Sequence, residues 1–345
     1  MRILVVSQYF WPENFRINDL VVELCQRGHE VTVLTGRPNY PAGEVFPEFL
    51  RNPDSFDKLG SAKVIRMPML SRGKGPLRLV LNYASFAFCA TLVGAWRLRG
   101  QPFDVIFVFE PSPITVGLPA VFLRYLKRTP LAFWVLDLWP ETLEAIGVVR
   151  SKRVLKAIGY LVTFIYNRCD LILAQSKRFI PQIRGYCRQE LAVEYFPSWS
   201  DAPLDFLVDP AEEIPSNEGM FSIMFSGNVG EAQDFPAILL AAEQLKHDKR
   251  FRWLIVGDGR SSEWLRLEIK RRGLEHCFLL LGRYPLERMP AFYKHADALL
   301  VSLRNEPIFA MTLPGKLQSY LAEGIPVLAM LNGEGAEIVV SSGAG

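Results

Sequence analysis

Short apolar runs alternate with longer amphipathic stretches along most of this chain. Residues 3–6, 31–34, 64–67, 105–109, 131–135, 171–174 and 191–193 are apolar on both faces and read as buried strands. Between them, 18–27, 115–127 and 151–168 space their apolar residues three and four apart, the period of a helix with one buried face. Two-sided strands separated by helices predict a parallel sheet covered on both sides. The alternation stops at Phe196-Pro-Ser-Trp199. It gives way to Asp209-Pro-Ala-Glu-Glu-Ile-Pro-Ser-Asn-Glu-Gly219, polar and broken by prolines, which predicts a linker. A second series places strands at 222–225, 252–256, 278–281, 298–301 and 327–330. The prediction is an α/β chain of two doubly wound, Rossmann-like units, 1–198 and 220–345, joined by a linker at 199–219. Ligands of such folds bind beyond the carboxyl ends of the strands, and two such ends facing each other would enclose a cleft. The last residues, Glu337-Ile-Val-Val-Ser-Ser-Gly-Ala-Gly345, read as a small-residue loop with no final strand or helix, which predicts an incomplete second unit.

At 345 residues the chain exceeds one ordinary core, in keeping with two units. A net charge of +3 and the lack of a dense Lys/Arg run argue against nucleic acid as a partner. The five cysteines are scattered, none forms a CxxC pair, and His276 beside Cys277 has no further ligands around it. A reduced, metal-free cytosolic protein fits this usage. Met1-Arg-Ile-Leu-Val-Val-Ser7 is too short for a signal peptide and reads as the first strand. One segment raises the membrane question. Between Arg78 and Arg97 lie 18 residues with Asn82 the only strongly polar side chain, and Arg72, Lys74, Arg78, Arg97 and Arg99 flank the run. Its length sits at the lower limit of the roughly 17–25 residues that span a bilayer. Three readings follow: a spanning helix, a buried crossover helix, or a helix dipping one face into a bilayer. Spanning conflicts with the strand that resumes at residue 105, since it would tear one sheet apart.

The strand-end loops hold the candidate chemistry. Glu306-Pro-Ile-Phe-Ala-Met-Thr-Leu-Pro-Gly-Lys-Leu-Gln-Ser-Tyr-Leu-Ala-Glu-Gly-Ile-Pro-Val-Leu-Ala329 reads as a loop, a helix opened by Pro314 and Gly315 and closed at Gly324, and a buried strand. A helix opening there offers free backbone N–H groups and a positive dipole end, and Lys316 adds a full charge: a phosphate seat. The alternative is an ordinary helix start in an α/β sheet. Other strand-end loops are Tyr9-Phe-Trp-Pro-Glu-Asn-Phe-Arg-Ile-Asn18, Phe225-Ser-Gly-Asn-Val-Gly-Glu-Ala-Gln-Asp234 and Val256-Gly-Asp-Gly-Arg260. Gly227 and Gly230 permit close backbone approach to a ligand. Asp137 and Glu141 bracket Trp139-Pro140 at a strand-to-helix turn, where two carboxylates could orient acceptor hydroxyls or take a proton. Glu141 could equally be a first-turn residue favoured by the helix dipole.

Taken together, these blocks resemble the family 4 glycosyltransferases of the GT-B fold, and among those the cell-envelope polysaccharide enzymes of the N-acetylfucosamine and colanic-acid type. Tyr9-Phe-Trp-Pro-Glu13, Arg27-Gly-His-Glu-Val-Thr-Val33, Asp137-Leu-Trp-Pro-Glu141 and Phe196-Pro-Ser-Trp199 are similar to family blocks in the first half. Phe225-Ser-Gly-Asn228, Val256-Gly-Asp-Gly259 and Leu313-Pro-Gly-Lys-Leu-Gln-Ser-Tyr-Leu-Ala-Glu-Gly324, followed by Pro326, are similar to blocks in the second. The resemblance implies sugar transfer from a nucleotide diphosphate donor, best matched by a UDP-linked N-acetylated hexosamine, with retained anomeric configuration and no metal or cofactor. It implies a lipid-diphosphate-linked saccharide acceptor and a peripheral place on the inner face of the cell membrane. A leaving nucleoside diphosphate develops negative charge that, without a metal, falls to Lys, Arg and helix N-termini. On the donor side the implied residues are Gly227, Asn228, Arg283, Tyr284, Arg304, Lys316, Leu317 and Ser319. On the acceptor side they are Glu13, Asn14 and Arg16, with Asp137 and Glu141 as the catalytic carboxylates. Arg283 and Arg304 could also be plain surface arginines. Met311 and Ser319 stand where the family carries a pair of glutamates, and the loop Gly227-Asn-Val-Gly-Glu-Ala-Gln233 lacks the family's Arg and Lys. Gln318 could substitute at the ribose. Two other readings would use the same diphosphate seat: a GT-B nucleotide-sugar epimerase and a non-catalytic sugar-nucleotide-binding scaffold.

Overall fold

The computed structural model describes all residues except 42, 74, 201–208 and 216–218. The chain divides into two units, Met1–Pro197 and Ser198–Gly345. The first is built on β1 (Arg2–Val6), β2 (Glu30–Thr35), β3 (Lys58–Leu59), β4 (Ala62–Arg66), β5 (Val105–Glu110), β6 (Leu131–Val135), β7 (Leu171–Ala174) and β8 (Ala192–Tyr195). These lie in the order β3-β4-β2-β1-β5-β6-β7-β8. Every pairing is parallel except β3 with β4, an edge hairpin that turns through Gly60 at φ 58°. That hairpin departs from the all-parallel expectation. Lys58 and Leu59 are too short a run to carry a period, so nothing local announced a strand. The winding reverses between β1 and β5, and the loops after those two strands therefore diverge at the carboxyl edge.

The second unit is built on β9 (Phe221–Ser226), β10 (Phe251–Val256), β11 (Phe278–Gly282), β12 (Ala298–Ser302) and β13 (Val327–Met330), ordered β11-β10-β9-β12-β13. Successive residues along these strands feed opposite faces. Met224, Leu254 and Leu299 join one buried cluster, while Ile223, Phe225, Ile255 and Leu300 join the other. Burial on both faces is what the unbroken apolar runs require. Here the winding reverses between β9 and β12.

Two segments differ from expectation. Within the expected linker, Ala211 and Ile214 are buried in the second unit's core, and the Ala211 N–H donates to the Ala291 carbonyl at 3.0 Å. Arg288 donates twice to Glu213, at 2.6 and 3.0 Å. The described part of that stretch thus belongs to the second unit, because two apolar side chains among polar ones suffice to seat it. Residues 201–208 and 216–218, also within the expected linker, lie outside the described residues. The terminal stretch read as a loop contains a helix, Glu334–Ser341, which sinks Val339 into the core.

The apolar stretch of the first unit forms one continuous helix, Pro76–Arg97, with a π-helical turn at Ala90–Gly94. Its inner face buries Asn82, Phe86, Ala87, Ala90 and Gly94. Asn82 fixes that face: its Oδ1 accepts from Gln8 Nε2 at 2.8 Å, and its Nδ2 donates to the Leu70 carbonyl at 2.6 Å. The outer face carries Leu77, Val80, Leu81, Phe88, Leu92 and Trp96, all exposed. Only 28% of the most apolar window is buried, so the helix is not the buried crossover that was one of the expectations. Flanking Lys74 lies outside the described residues.

Candidate functional site

In the second unit the chemistry gathers where the winding reverses. β9 ends at Ser226, and Gly227 follows with φ 127°, a conformation that disfavours any side chain. The Gly227 N–H donates to the Val256 carbonyl at 2.8 Å, and the Val229 N–H to the Asp258 carbonyl at 3.0 Å. A Cβ on Gly257 would collide with the Gly227 carbonyl, so the two glycine loops pack backbone against backbone. The helix Gly315–Glu323 opens after Pro314 with no side-chain cap and closes on Gly324 at φ 70°. The uncapped start leaves the positive end of the helix available to an anion.

Lys316, in the first turn of that helix, is the focus. Its Nζ donates to Gln233 Oε1 at 3.1 Å and sits 3.7 Å from the centre of the Phe225 ring. A Cβ at Gly227 would stand 3.2 Å from the same Nζ, so the glycine makes room for the ammonium. Burial, with no compensating acid, pulls the Lys316 pKa from 10.5 down to about 7. One turn on, the Tyr320 hydroxyl accepts the Ser226 N–H at 2.9 Å and lies 3.0 Å from Ser226 Oγ. Tyr293 Oη meets the same Oγ at 3.0 Å. These buried hydroxyls pin the lysine's helix to the end of β9. Neither they, nor Phe225 and Gln233, were singled out from the sequence, although Tyr320 stands one helical turn from Lys316.

The other donor-side candidates divide. Asn228 is exposed beside Gly227. Arg304 docks its loop through an N–H to the Ala232 carbonyl at 2.9 Å, but its exposed guanidinium already faces Glu306 at 3.8 Å. Arg283 is exposed, and its charge helps hold Asp258 below the usual carboxylate range after the Ser262 and Gly259 hydrogen bonds. The Tyr284 ring packs 4.4 Å from Phe292, a structural contact. The Leu317 amide, expected to be free, donates to the Pro314 carbonyl at 2.9 Å as the helix closes its first turn. Ser319 is partly buried on the same helix. Gln318, oriented to donate, reaches the carbonyls of Pro314 and Gly315 at 2.9 and 2.8 Å, which occupies the amide considered for the ribose.

Three acids expected to face a substrate in the first unit are engaged within that unit. Glu13, 2% exposed, accepts the N–H groups of Phe10 at 3.1 Å and of Asn39 and Tyr40 at 2.7 Å each. Burial raises its pKa to about 7 against the pull of those bonds. It shapes the loop instead of lining an open acceptor site, as had been expected. Asn14 is exposed, and Arg16 lies 3.9 Å from Asp19. Asp137 accepts the Trp139 Nε1–H at 3.1 Å. Burial still lifts its pKa above the ordinary value. Glu141 turns away from it: Oε1 accepts the Tyr186 hydroxyl at 2.8 Å, because the helix that Glu141 opens packs near that tyrosine. The expected outward pair of carboxylates is thus one carboxylate within its turn and one facing Tyr186. A further acid, Glu110 at the end of β5, is fully buried, with neither oxygen partnered among the described residues. Burial first, and the Asp137 charge second, push its pKa well above the carboxylate range. The sequence signal was a lone acid closing an apolar strand.

Two doubly wound units, one of them carrying an uncapped helix start and an enclosed lysine at its switch point, define a protein of the GT-B class. Solved structures share the fold. HepE of Anabaena in complex with UDP aligns with TM-score 0.65 at 15% identity, over 98% of this chain and 83% of that one. WaaG, a glycosyltransferase involved in lipopolysaccharide biosynthesis, aligns with TM-score 0.64 at 14% identity, over 99% and 84%. Residues 14–199 match the glycosyl transferase 4-like domain and residues 221–345 match glycosyl transferases group 1, so the chain belongs to the family 4 glycosyltransferases. It is similar to WcaI of Escherichia coli K12, named for colanic acid biosynthesis, at 26% identity over 345 residues, 94% of this chain and 82% of that protein. It is also similar to the Pseudomonas aeruginosa glycosyltransferase WbjE, at 27% identity over 278 residues, 78% of this chain and 65% of that protein.

Proposed function

We propose that the protein moves an N-acetylated hexosamine from a UDP-sugar to a lipid-linked saccharide, with retention and without a metal, at a membrane surface in envelope polysaccharide assembly. The observation that carries the donor side is Lys316, an enclosed ammonium whose neighbours are a neutral amide and an aromatic ring. A charge drawn away from water without an acid beside it costs free energy, which an arriving anion would offset. A diphosphate there would meet the ammonium, the start of the Gly315–Glu323 helix and the Gly227 backbone together. UDP bound to the HepE fold and the colanic-acid naming of WcaI support the donor class and the pathway. Calorimetric titration with UDP tests this. Lys316→Ala should weaken binding about 10- to 100-fold, as expected for one charge-assisted contact of about 1.5–3 kcal/mol. Undiminished affinity would remove the diphosphate seat, and sugar conversion with donor alone would point to an epimerase.

The membrane part rests on the outer face of the Pro76–Arg97 helix. That helix packs beside Gly117–Lys127, which in turn packs beside Lys152–Tyr166. The neighbours expose Phe122, Tyr125, Leu126, Val154, Tyr160 and Phe164. Cations cover several of the aromatic rings: Arg99 lies 4.9 Å from Trp96, Arg124 5.7 Å from Tyr125 and Arg168 3.6 Å from Phe164. Apolar rows edged by arginine suit an anionic bilayer surface. Phe88→Glu with Trp96→Glu should abolish co-sedimentation with vesicles containing anionic phospholipid. Retained binding by that double variant would sink the membrane reading and leave the donor site untouched.

A further inference from the structure

A second cation without an acid stands at the strand ends of the first unit. Arg72 follows β4 by six residues and is partly buried. Its backbone is pinned twice: its own N–H donates to Asn39 Oδ1 at 3.1 Å, and the Gly73 N–H donates to the Gly43 carbonyl at 2.8 Å. Its guanidinium lies 5.2 Å from the centre of the Tyr40 ring. Asn39 and Tyr40 are themselves held by Glu13 through their N–H groups, so the buried acid of the first loop sets the platform on which Arg72 rests. No carboxylate pairs with Arg72 among the described residues. A guanidinium fixed in this way is a preorganised fork for two oxygens of a phosphate.

The surroundings extend the site toward Asp137. The Arg72 charge acts on the phenols of both Tyr9 and Tyr83. The Asp137 charge acts on the Tyr83 phenol as well. The site thus extends from the cation toward the carboxylate through Tyr83. Aromatic rings form its floor: Tyr9 stacks on Phe15 at 5.6 Å, Tyr40 lies 5.3 Å from Phe15, and Tyr83 lies 6.3 Å from Trp139. The apolar Pro76–Arg97 helix begins four residues after Arg72.

We propose that Arg72, seated over Tyr40, binds a phosphate or diphosphate group of the acceptor, with Tyr83 and Asp137 beside it for the acceptor's hydroxyls. The inference deepens the lipid-linked acceptor reading and rests on it. The start of an outward apolar helix beside the cation favours a lipid-borne phosphate over a free one.

The test uses the whole chain saturated with UDP, so that the Lys316 seat is filled, and titrates farnesyl diphosphate, inorganic pyrophosphate and farnesol by calorimetry. Farnesyl diphosphate should bind, and Arg72→Ala or Arg72→Gln should weaken it at least tenfold while leaving UDP affinity and farnesol binding unchanged. Lys316→Ala should lose UDP but keep farnesyl diphosphate. Pyrophosphate binding as tightly as farnesyl diphosphate, and equally dependent on Arg72, would support the phosphate subsite and assign it to a free phosphate source. Equal farnesyl diphosphate affinity in the Arg72 variants, or a loss in Lys316→Ala alone, would overturn the subsite. The UDP titrations judge the donor reading separately.

Discussion

The strand ends of the two units handle charge in opposite ways. In the first, Glu13 is met by three backbone N–H groups, Asp137 by the Trp139 indole, and Glu141 by Tyr186 through one of its oxygens. In the second, Lys316 has, among the described residues, Gln233 and the face of Phe225. A carboxylate that has already collected donors within its unit has little left for a substrate and holds its own segment in place. An ammonium enclosed without an anion has its strongest interaction still to make. Glu110 complicates the contrast, since it too is enclosed and unpartnered. The two groups shed charge by opposite routes: the acid keeps its proton, and burial makes the lysine ready to give its proton up. In the proposed diphosphate seat, only the lysine would regain its charge on binding.

That difference has a direct consequence for binding. Above pH 7 the free protein increasingly holds Lys316 neutral, while a bound diphosphate requires the ammonium, so binding must take up a proton. UDP affinity should fall by up to tenfold per pH unit above 7, at most about 50-fold between pH 7 and 9, with no comparable loss below 7. The phosphate itself ionises near pH 6, so its own titration stays out of that window. Calorimetry in buffers of different ionisation enthalpy should count close to one proton taken up at pH 8. A flat affinity profile with no proton uptake would mean that the lysine charge plays no part, and the contrast between the units would lose its functional meaning.

The parts of this molecule that were legible in the sequence are those set by neighbours along the chain. The strands of both units announced themselves because burial on both faces demands an unbroken apolar run. The helix opening at Gly315 did so through Pro314, Lys316 and the terminating Gly324, all within one segment. What remained hidden depends on partners far away. The donors that engage Glu13 come from residues 26 and 27 positions later, and the hydroxyl that fixes Ser226 comes from 94 positions later. Sequence spacing marks a carboxylate at a strand end but does not say whether a distant backbone N–H has already claimed it. Arg72 shows the reverse case. It was noticed as a flank of the apolar helix, and its seat over Tyr40 depends on a loop 32 positions earlier in the chain, by the difference between residues 72 and 40.

A smaller effect tests the other half of the contrast, that an enclosed acid escapes its charge by retaining a proton. The ordinary glutamate pKa is about 4.3 in an unfolded chain, and in the native state Glu110 lies well above the carboxylate range. Between those values the native protein holds a proton that the unfolded chain has released. Its stability therefore falls as pH rises, by up to about 1.4 kcal/mol per unit from this group. Glu110→Gln keeps the shape and removes the titration. The variant should match the parent near pH 4 and become progressively more stable than it at pH 5, 6 and 7 in urea unfolding, with UDP affinity unchanged. A gap that stays constant with pH would show that Glu110 is charged in the native protein. In that event an unpartnered carboxylate would sit beside Asp137, and the first unit would hold a charge as exposed to capture as Lys316, in this case by a cation.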